Sequence, residues 1–212
     1  MRHLGTCIVF ITAIAVRADA QDPPPRIGPF VVDVHMSIPG FPTDSQQLAE
    51  SHSLNPAELP GRGLGVQAGV HFYLPPWRAL TLGLGGEVMI ARATSTPADP
   101  SSGLRPAEER LVSASPQLSL NFGSGHGWSY LSGGIGRSVW SIHPTGDDPS
   151  DADVEPLQTF NYGGGARWFI KKRLAFSLDA RFYDLKEGTA IPPAPGSPPT
   201  TLFIIAAGIS LK

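Results

Sequence analysis

Eight stretches of the chain alternate apolar residues with small or polar ones, the period-two pattern of half-buried strands. The first runs from Phe30 to Ile38, with Phe30, Val32, Val34, Met36 and Ile38 on one face and Asp33, His35 and Ser37 on the other. The second, Leu64 to Leu74, sets Val66, Ala68, Val70 and Phe72 against Gln67, Gly69, His71 and Tyr73. The third, Leu80 to Ala93, sets Leu82, Leu84, Val88 and Ile90 against Thr81, Gly83, Gly85 and Glu87, and the fourth, Leu111 to Phe122, opposes Val112, Ala114, Leu118 and Leu120 to Ser113, Ser115, Gln117, Ser119 and Asn121. The sixth (Phe160 to Ile170), seventh (Leu174 to Phe182) and eighth (Leu202 to Leu211) alternate in the same way. The fifth, Trp128 to Ile142, has apolar residues in both phases: Trp128, Tyr130, Trp140 and Ile142 in one, Leu131, Ile135 and Val139 with Arg137 in the other. Gly133-Gly134 inside it predicts a bulge that shifts the phase, and Pro116 inside the fourth predicts another, because proline removes a ladder donor.

The connections alternate too. Long, Pro-rich ones run from Pro39 to Gly63, Thr94 to Arg110, His143 to Gln158 and Asp184 to Thr201. Short ones run from Leu74 to Leu80, Gly123 to Gly127 and Lys171 to Arg173. This rhythm predicts an all-β fold, an eight-stranded antiparallel up-and-down barrel, with short turns at one end and long loops at the other.

Two placements of such a barrel compete. In a soluble, lipocalin-like barrel the apolar face would line a ligand cavity and the second face would meet water, rich in Lys and Glu. Here that face holds Gly, Ser, Thr, Asn and Gln with single charges, and the lysines beyond the leader (Lys171, Lys172, Lys186 and Lys212) lie at strand ends or in turns. A transmembrane barrel with a narrow, packed lumen fits this better. Trp77, Trp128 and Trp168 each flank a short turn, which predicts an aromatic girdle on the periplasmic side.

Composition narrows the class. Residues 1–20 read as a signal peptide: Arg2, an apolar run of about 13 residues that is short of the roughly 20 a membrane helix needs, then Ala18-Asp19-Ala20 as a small-x-small cleavage site. Residues 21–27 form a short N-terminal segment and 28–212 the barrel domain. The only cysteine, Cys7, lies in the leader, which excludes a disulfide or thiol chemistry in the exported chain. A net charge of −2 gives no electrostatic case for nucleic acid. Many of the 24 glycines fall inside the alternating segments and most of the 22 prolines between them, a segregation that disorder would not produce.

The chain resembles the OmpA/OmpX-like outer-membrane β-barrel proteins. The likeness lies in the overall rhythm and in Gly163-Gly164-Gly165-Ala166-Arg167-Trp168-Phe169, a short turn, then Leu174-Ala175-Phe176-Ser177-Leu178-Asp179-Ala180-Arg181-Phe182-Tyr183. One departure is the end of the chain, Leu211-Lys212, where such proteins usually carry an aromatic residue. The resemblance implies a bacterial outer-membrane location among lipid and lipopolysaccharide, and no shared activity.

Candidate chemistry is sparse. Inward charges in a membrane barrel must pair, so Arg167 and Arg181 are expected to meet Glu87 and Asp179 in a lumenal ion-pair network, either as a structural plug or as a gated narrow pore. Asp33, His35 and Ser37 share one strand face and invite comparison with a hydrolytic triad, since some eight-stranded barrels modify lipid A; a lumenal position denies them an acyl chain. Asp147, Asp148, Asp151, Asp153 and Glu155 cluster in one loop without the register of a calcium-binding loop, so a solvated acidic loop is expected rather than a metal site. The expectation is a monomeric, non-enzymatic barrel without cofactor, with scaffold, envelope-integrity or surface-interaction roles in its long external loops. A barrel holding a small apolar ligand is the alternative.

Overall fold

The computed structural model describes residues 26–212, apart from positions 79, 98, 100, 152, 193 and 194. The predicted signal peptide lies outside the described residues. Eight strands, β1 (Phe30–Gly40), β2 (Leu64–Tyr73), β3 (Leu80–Thr94), β4 (Ala107–Ser124), β5 (Gly127–Pro144), β6 (Val154–Phe169), β7 (Leu174–Leu185) and β8 (Thr200–Leu211), pair in sequence order and close β8 onto β1. Every pairing is antiparallel. Closure leaves no open edge, which a hydrocarbon environment requires.

The register fixes the tilt. One circuit of pairings from Phe30 runs through Phe72, Leu84, Leu118, Gly133, Tyr162, Phe182 and Phe203 and returns to β1 at Gly40, the opposite end of the same strand. Lines of paired residues therefore climb steeply toward the long-loop end. Such stagger accompanies the tilted strands of small closed barrels.

The outer wall is a belt of exposed apolar side chains, among them Val34, Met36, Phe72, Val88, Leu120, Ile135, Leu178 and Ile205. A continuous exposed belt of this kind is a membrane surface rather than a solvated one. Outward aromatics stack along β6 to β8, with Tyr162 between Phe160 and Phe182 and Phe182 against Phe203.

Three sequence expectations change. Pro116 makes no bulge: β3–β4 runs in unbroken register through Gly86↔Pro116. On the β5 side the pairs stop at Ala114↔Arg137 and resume at Leu118↔Gly133 without an inserted residue. The ladder loses rungs beside the missing N–H and keeps its register. Gly133-Gly134 makes no phase shift either. Trp128, Tyr130, Ser132, Ser138, Trp140 and Ile142 all face inward along β5. What changes midway is the inward side: below, Trp128 and Tyr130 face a polar network, and above, Trp140 and Ile142 face an apolar core, while Leu131, Ile135 and Val139 stay outward throughout. Finally, the strands outrun the sequence reading at the long-loop end, where β4 starts at Ala107 and β6 at Val154.

The first long loop is folded. Ser45 caps the helix α1 (Gln46–Ser51), accepting from the Leu48 amide. A 3-10 turn, Pro56–Glu58, follows, closed by an Asn55–Glu58 capping box.

Candidate functional site

The lumen has two storeys. At the short-turn end Trp128 turns inward and stacks on Phe169, ring centroids 5.1 Å apart, with Tyr73 edge-on to it. Lys212 lies 3.9 Å from the Phe169 centroid and its ammonium donates to the Gly125 carbonyl. Above this floor Arg167 grips Asp33 in a two-pronged pair, Nε to Oδ1 at 2.9 Å and Nη2 to Oδ2 at 2.6 Å. The Ser210 hydroxyl also donates to Asp33. The Arg167 guanidinium lies 4.1 Å from the Tyr130 ring centroid. Gly165 allows this arrangement, because a Cβ there would stand 2.6 Å from the Tyr130 hydroxyl and 2.1 Å from the Leu178 carbonyl.

Arg181 is the hub of the middle. Its Nε donates to Asp179 at 3.2 Å and lies 3.6 Å from Glu87. Its Nη1 donates to Gln117 and Asn161, both at 3.1 Å, and its Nη2 to the Ser132 hydroxyl at 2.7 Å. Tyr130 donates to Asp179 at 2.7 Å and Tyr183 to Glu87 at 2.5 Å. Gln117 and Asn161 are joined at 2.6 Å and share Ser115. Planar, five-donor arginine suits such a hub because its forks fix direction as well as charge.

The upper storey is apolar. Met89, Ala91, Leu111, Trp140, Ile142, Leu157, Leu185, Leu202 and Ile204 form one buried cluster with Phe41, Leu48, Ala49, Leu54 and Leu59 of the first loop. That loop is a lid seated in the mouth. Glu109 stands among them as a buried carboxyl: it accepts from the Trp140 indole at 2.8 Å, and its second oxygen has no partner among the described residues. Two clasps tie the lid to other loops. Glu58 accepts from the Arg105 amide at 2.6 Å, and burial pushes its carboxyl up while the Asn55 and Arg105 amides outweigh this and hold it below the usual range. His52 contacts the Ser197 hydroxyl at 3.2 Å, and the Ser197 amide donates to Glu155 at 3.0 Å. Burial holds the His52 imidazole below its ordinary value of 6.5, against the pull of Glu155 and Asp153.

His52, Ser197 and Glu155 have the composition of a hydrolytic triad without its geometry. The carboxylate meets the serine amide instead of the imidazole, His52 Nδ1 has no partner among the described residues, and Ser197 is 1% exposed. A nucleophile relay needs the base oriented by the acid and the hydroxyl open to substrate.

The other sequence candidates are placed as follows. Arg181 meets both Asp179 and Glu87, whereas Arg167 pairs with Asp33, so the four expected partners form two centres with a fifth residue. Asp33, His35 and Ser37 are buried in the lumen and part ways: Asp33 to Arg167, His35 to Ser177 at 2.7 Å, Ser37 without a partner among the described residues. The acidic loop disperses, with Asp147 3.7 Å from Arg105, Asp153 accepting from Ser150 at 2.6 Å, Glu155 buried, and Asp148 and Asp151 exposed. The girdle expectation needs correcting at one residue: Trp77 and Trp168 are 71% and 50% exposed, but Trp128 is 3% exposed and plugs the lumen. Strand parity decides this, since Trp128 shares the inward phase of Tyr130. The sequence reading does not single out Tyr130, Tyr183, Gln117 or Asn161 as site residues; parity with Asp179 on β7 and Arg167 on β6 points to Tyr183 and Asn161, whereas β4 and β5 carry no inward charge near Gln117 or Tyr130 to mark them.

No family model matches the chain, and no curated protein matches it either. Among solved structures it is similar to neisserial surface protein A, with a TM-score of 0.56 and 12% identity over 87% of this chain and 97% of that one. It is also similar to Ail, the attachment invasion locus protein of Yersinia pestis, seen with the heparin analogue sucrose octasulfate (TM-score 0.44, 12% identity, 86% and 96% covered). The third is outer membrane protein AlkL in lipid bilayers (TM-score 0.42, 16% identity, 91% and 93% covered). The shared feature is the eight-stranded outer-membrane barrel fold.

Proposed function

We propose that the chain is a monomeric, non-enzymatic integral protein of the bacterial outer membrane that acts through its external face, in surface interaction or envelope integrity. One observation carries this reading. The barrel has a lipid-facing apolar belt, while its lumen is filled by the Trp128 floor, the Arg181 hub and the lidded apolar storey. Such an interior supports a wall-spanning scaffold, and it leaves the loops and the rim as the surfaces that can meet partners. Fractionation of cells combined with surface proteolysis tests the location and the loop orientation together. Planar-bilayer recording tests the plug: the expected trace is silent, and steady single-channel steps from the purified protein would defeat that part of the proposal.

A further inference from the structure

The outward face changes character abruptly at the long-loop end. Two residues before β2, ahead of Leu64 and Val66, the exposed residue is Arg62; on β3 Arg92 follows Val88 and Ile90; on β4 Arg110 precedes Val112; on β5 Arg137 follows Leu131 and Ile135. Arg137 stands lower, opposite Ala114 and four residues down β5 from Ser141, the partner of Arg110, so it flanks the wall from the side. The opposite half of the rim carries Gln158, Asp184 and Thr201, with Lys186 just past the end of β7. Three arginines thus occupy the adjacent strands β3, β4 and β5, with Arg62 at the entry to β2.

Arg92 and Arg110 stand directly opposite each other in the β3–β4 register. Like charges in that relation repel and destabilise a sheet unless an anion sits with them. Glu108 pairs with Arg92 and offsets one charge of the two. Among the described residues Arg62, Arg110 and Arg137 have no carboxylate partner.

Directly below, on the same β2–β4 wall, lies a groove of about 520 Å³ in the apolar belt, lined by Ala68, Val70, Gly86, Val88, Ala114 and Pro116. It exists because small residues on three neighbouring strands stand together where the belt elsewhere carries Leu, Ile and Phe. Arginines above a shallow, open apolar depression match a phosphorylated head group above an acyl chain. The span of three inter-strand steps of about 4.8 Å, roughly 14 Å in all, suits a head group with two phosphates. In the outer leaflet that lipid is lipid A.

We propose that Arg92 and Arg110, flanked by Arg62 and Arg137, bind the phosphates of one lipid A molecule whose acyl chain lies in the groove of Ala68, Gly86, Ala114 and Pro116. Guanidinium binds phosphate bidentately, and the long arginine stems lie along the wall while their heads reach the interface. The assignment rests on the outer-membrane reading above.

The test uses full-chain protein extracted in detergent, with native mass spectrometry reading lipid retention and heat-modifiable gel mobility reading the folded barrel separately. The expected result is retention of bis-phosphorylated lipid A by the wild type, weakened by more than about tenfold in R92A/R110A, with R92K/R110K between the two. Dephosphorylated lipid A is expected to bind as weakly as the double variant allows. Gly86→Leu, which fills the groove and leaves the arginines in place, is expected to lower retention while the barrel stays heat-modifiable. Equal retention by R92A/R110A, or equal retention of phosphatidylglycerol or of dephosphorylated lipid A by the wild type, would overturn the site. A wild type without a heat-modifiable band would instead overturn the membrane-barrel reading.

Discussion

The two storeys of the lumen solve the same problem, filling a narrow barrel, by opposite chemistry. The lower one is a network in which each arginine has fixed partners: Asp33 for Arg167, Asp179 and Glu87 for Arg181. The upper one is an ordinary hydrophobic core shared between strands and lid. A buried charge network contributes little net stability over an apolar equivalent, but it is costly to break on one side. An apolar core tolerates exchange at constant volume and answers to lost volume. The lower storey should therefore be intolerant of single changes and forgiving of collective ones, the upper storey the reverse.

The largest effect should come from Arg181→Leu. It strands Asp179 and Glu87 and should cost roughly 3–5 kcal/mol, read as loss of the heat-modifiable form or a lowered urea midpoint in detergent. The triple change of Arg181, Asp179 and Glu87 to apolar residues should recover most of that; if the triple variant is worse than the single, the contrast between storeys collapses. Next is Leu111→Ala in the upper core, expected to cost about 2–5 kcal/mol, with Leu111→Met nearly neutral in the same unfolding measurement.

A smaller effect is expected at the lid. His52 is held below its ordinary value, so the unfolded lid binds the proton more readily than the folded one. The stability it contributes is fully present above that ordinary value and declines as pH falls through it toward the lower folded one. Limited proteolysis of the first loop should accelerate from about pH 7.5 to about pH 5, and His52→Gln should flatten that dependence while barrel mobility on gels stays unchanged. The smallest effect is at Pro116. Alanine there returns an N–H to a ladder already in register and should change the unfolding midpoint by less than about 1 kcal/mol.

The barrel was legible in the sequence because period two survives along every strand. The upper storey was not, because the code inverts within a strand without any break in it. On β3, Val88 and Ile90 face lipid, while one turn of the pleat later Ala91 and Ala93 face the core and Arg92 faces out. The same inversion made the β5 pattern look like a bulge. Of the lumenal network, the charges were readable as inward, but partner choice was not. Whether Arg167 meets Asp33 or Asp179 depends on how β6 lies across the barrel from β1, and that follows from the stagger, which no single strand encodes. The lid clasp of His52 and Ser197 spans two loops, and nothing local in either announces it.

The lid also sorts the outer loops by what they could carry. A peptide grafted around Ser101–Gly103 would extend a segment whose side chains are exposed and which lies ahead of the Arg105 clasp. The same graft into α1 would have to displace Leu48 and Ala49 from the barrel mouth. For displaying foreign epitopes on a cell, the second loop is a usable handle, and the first is part of the stopper.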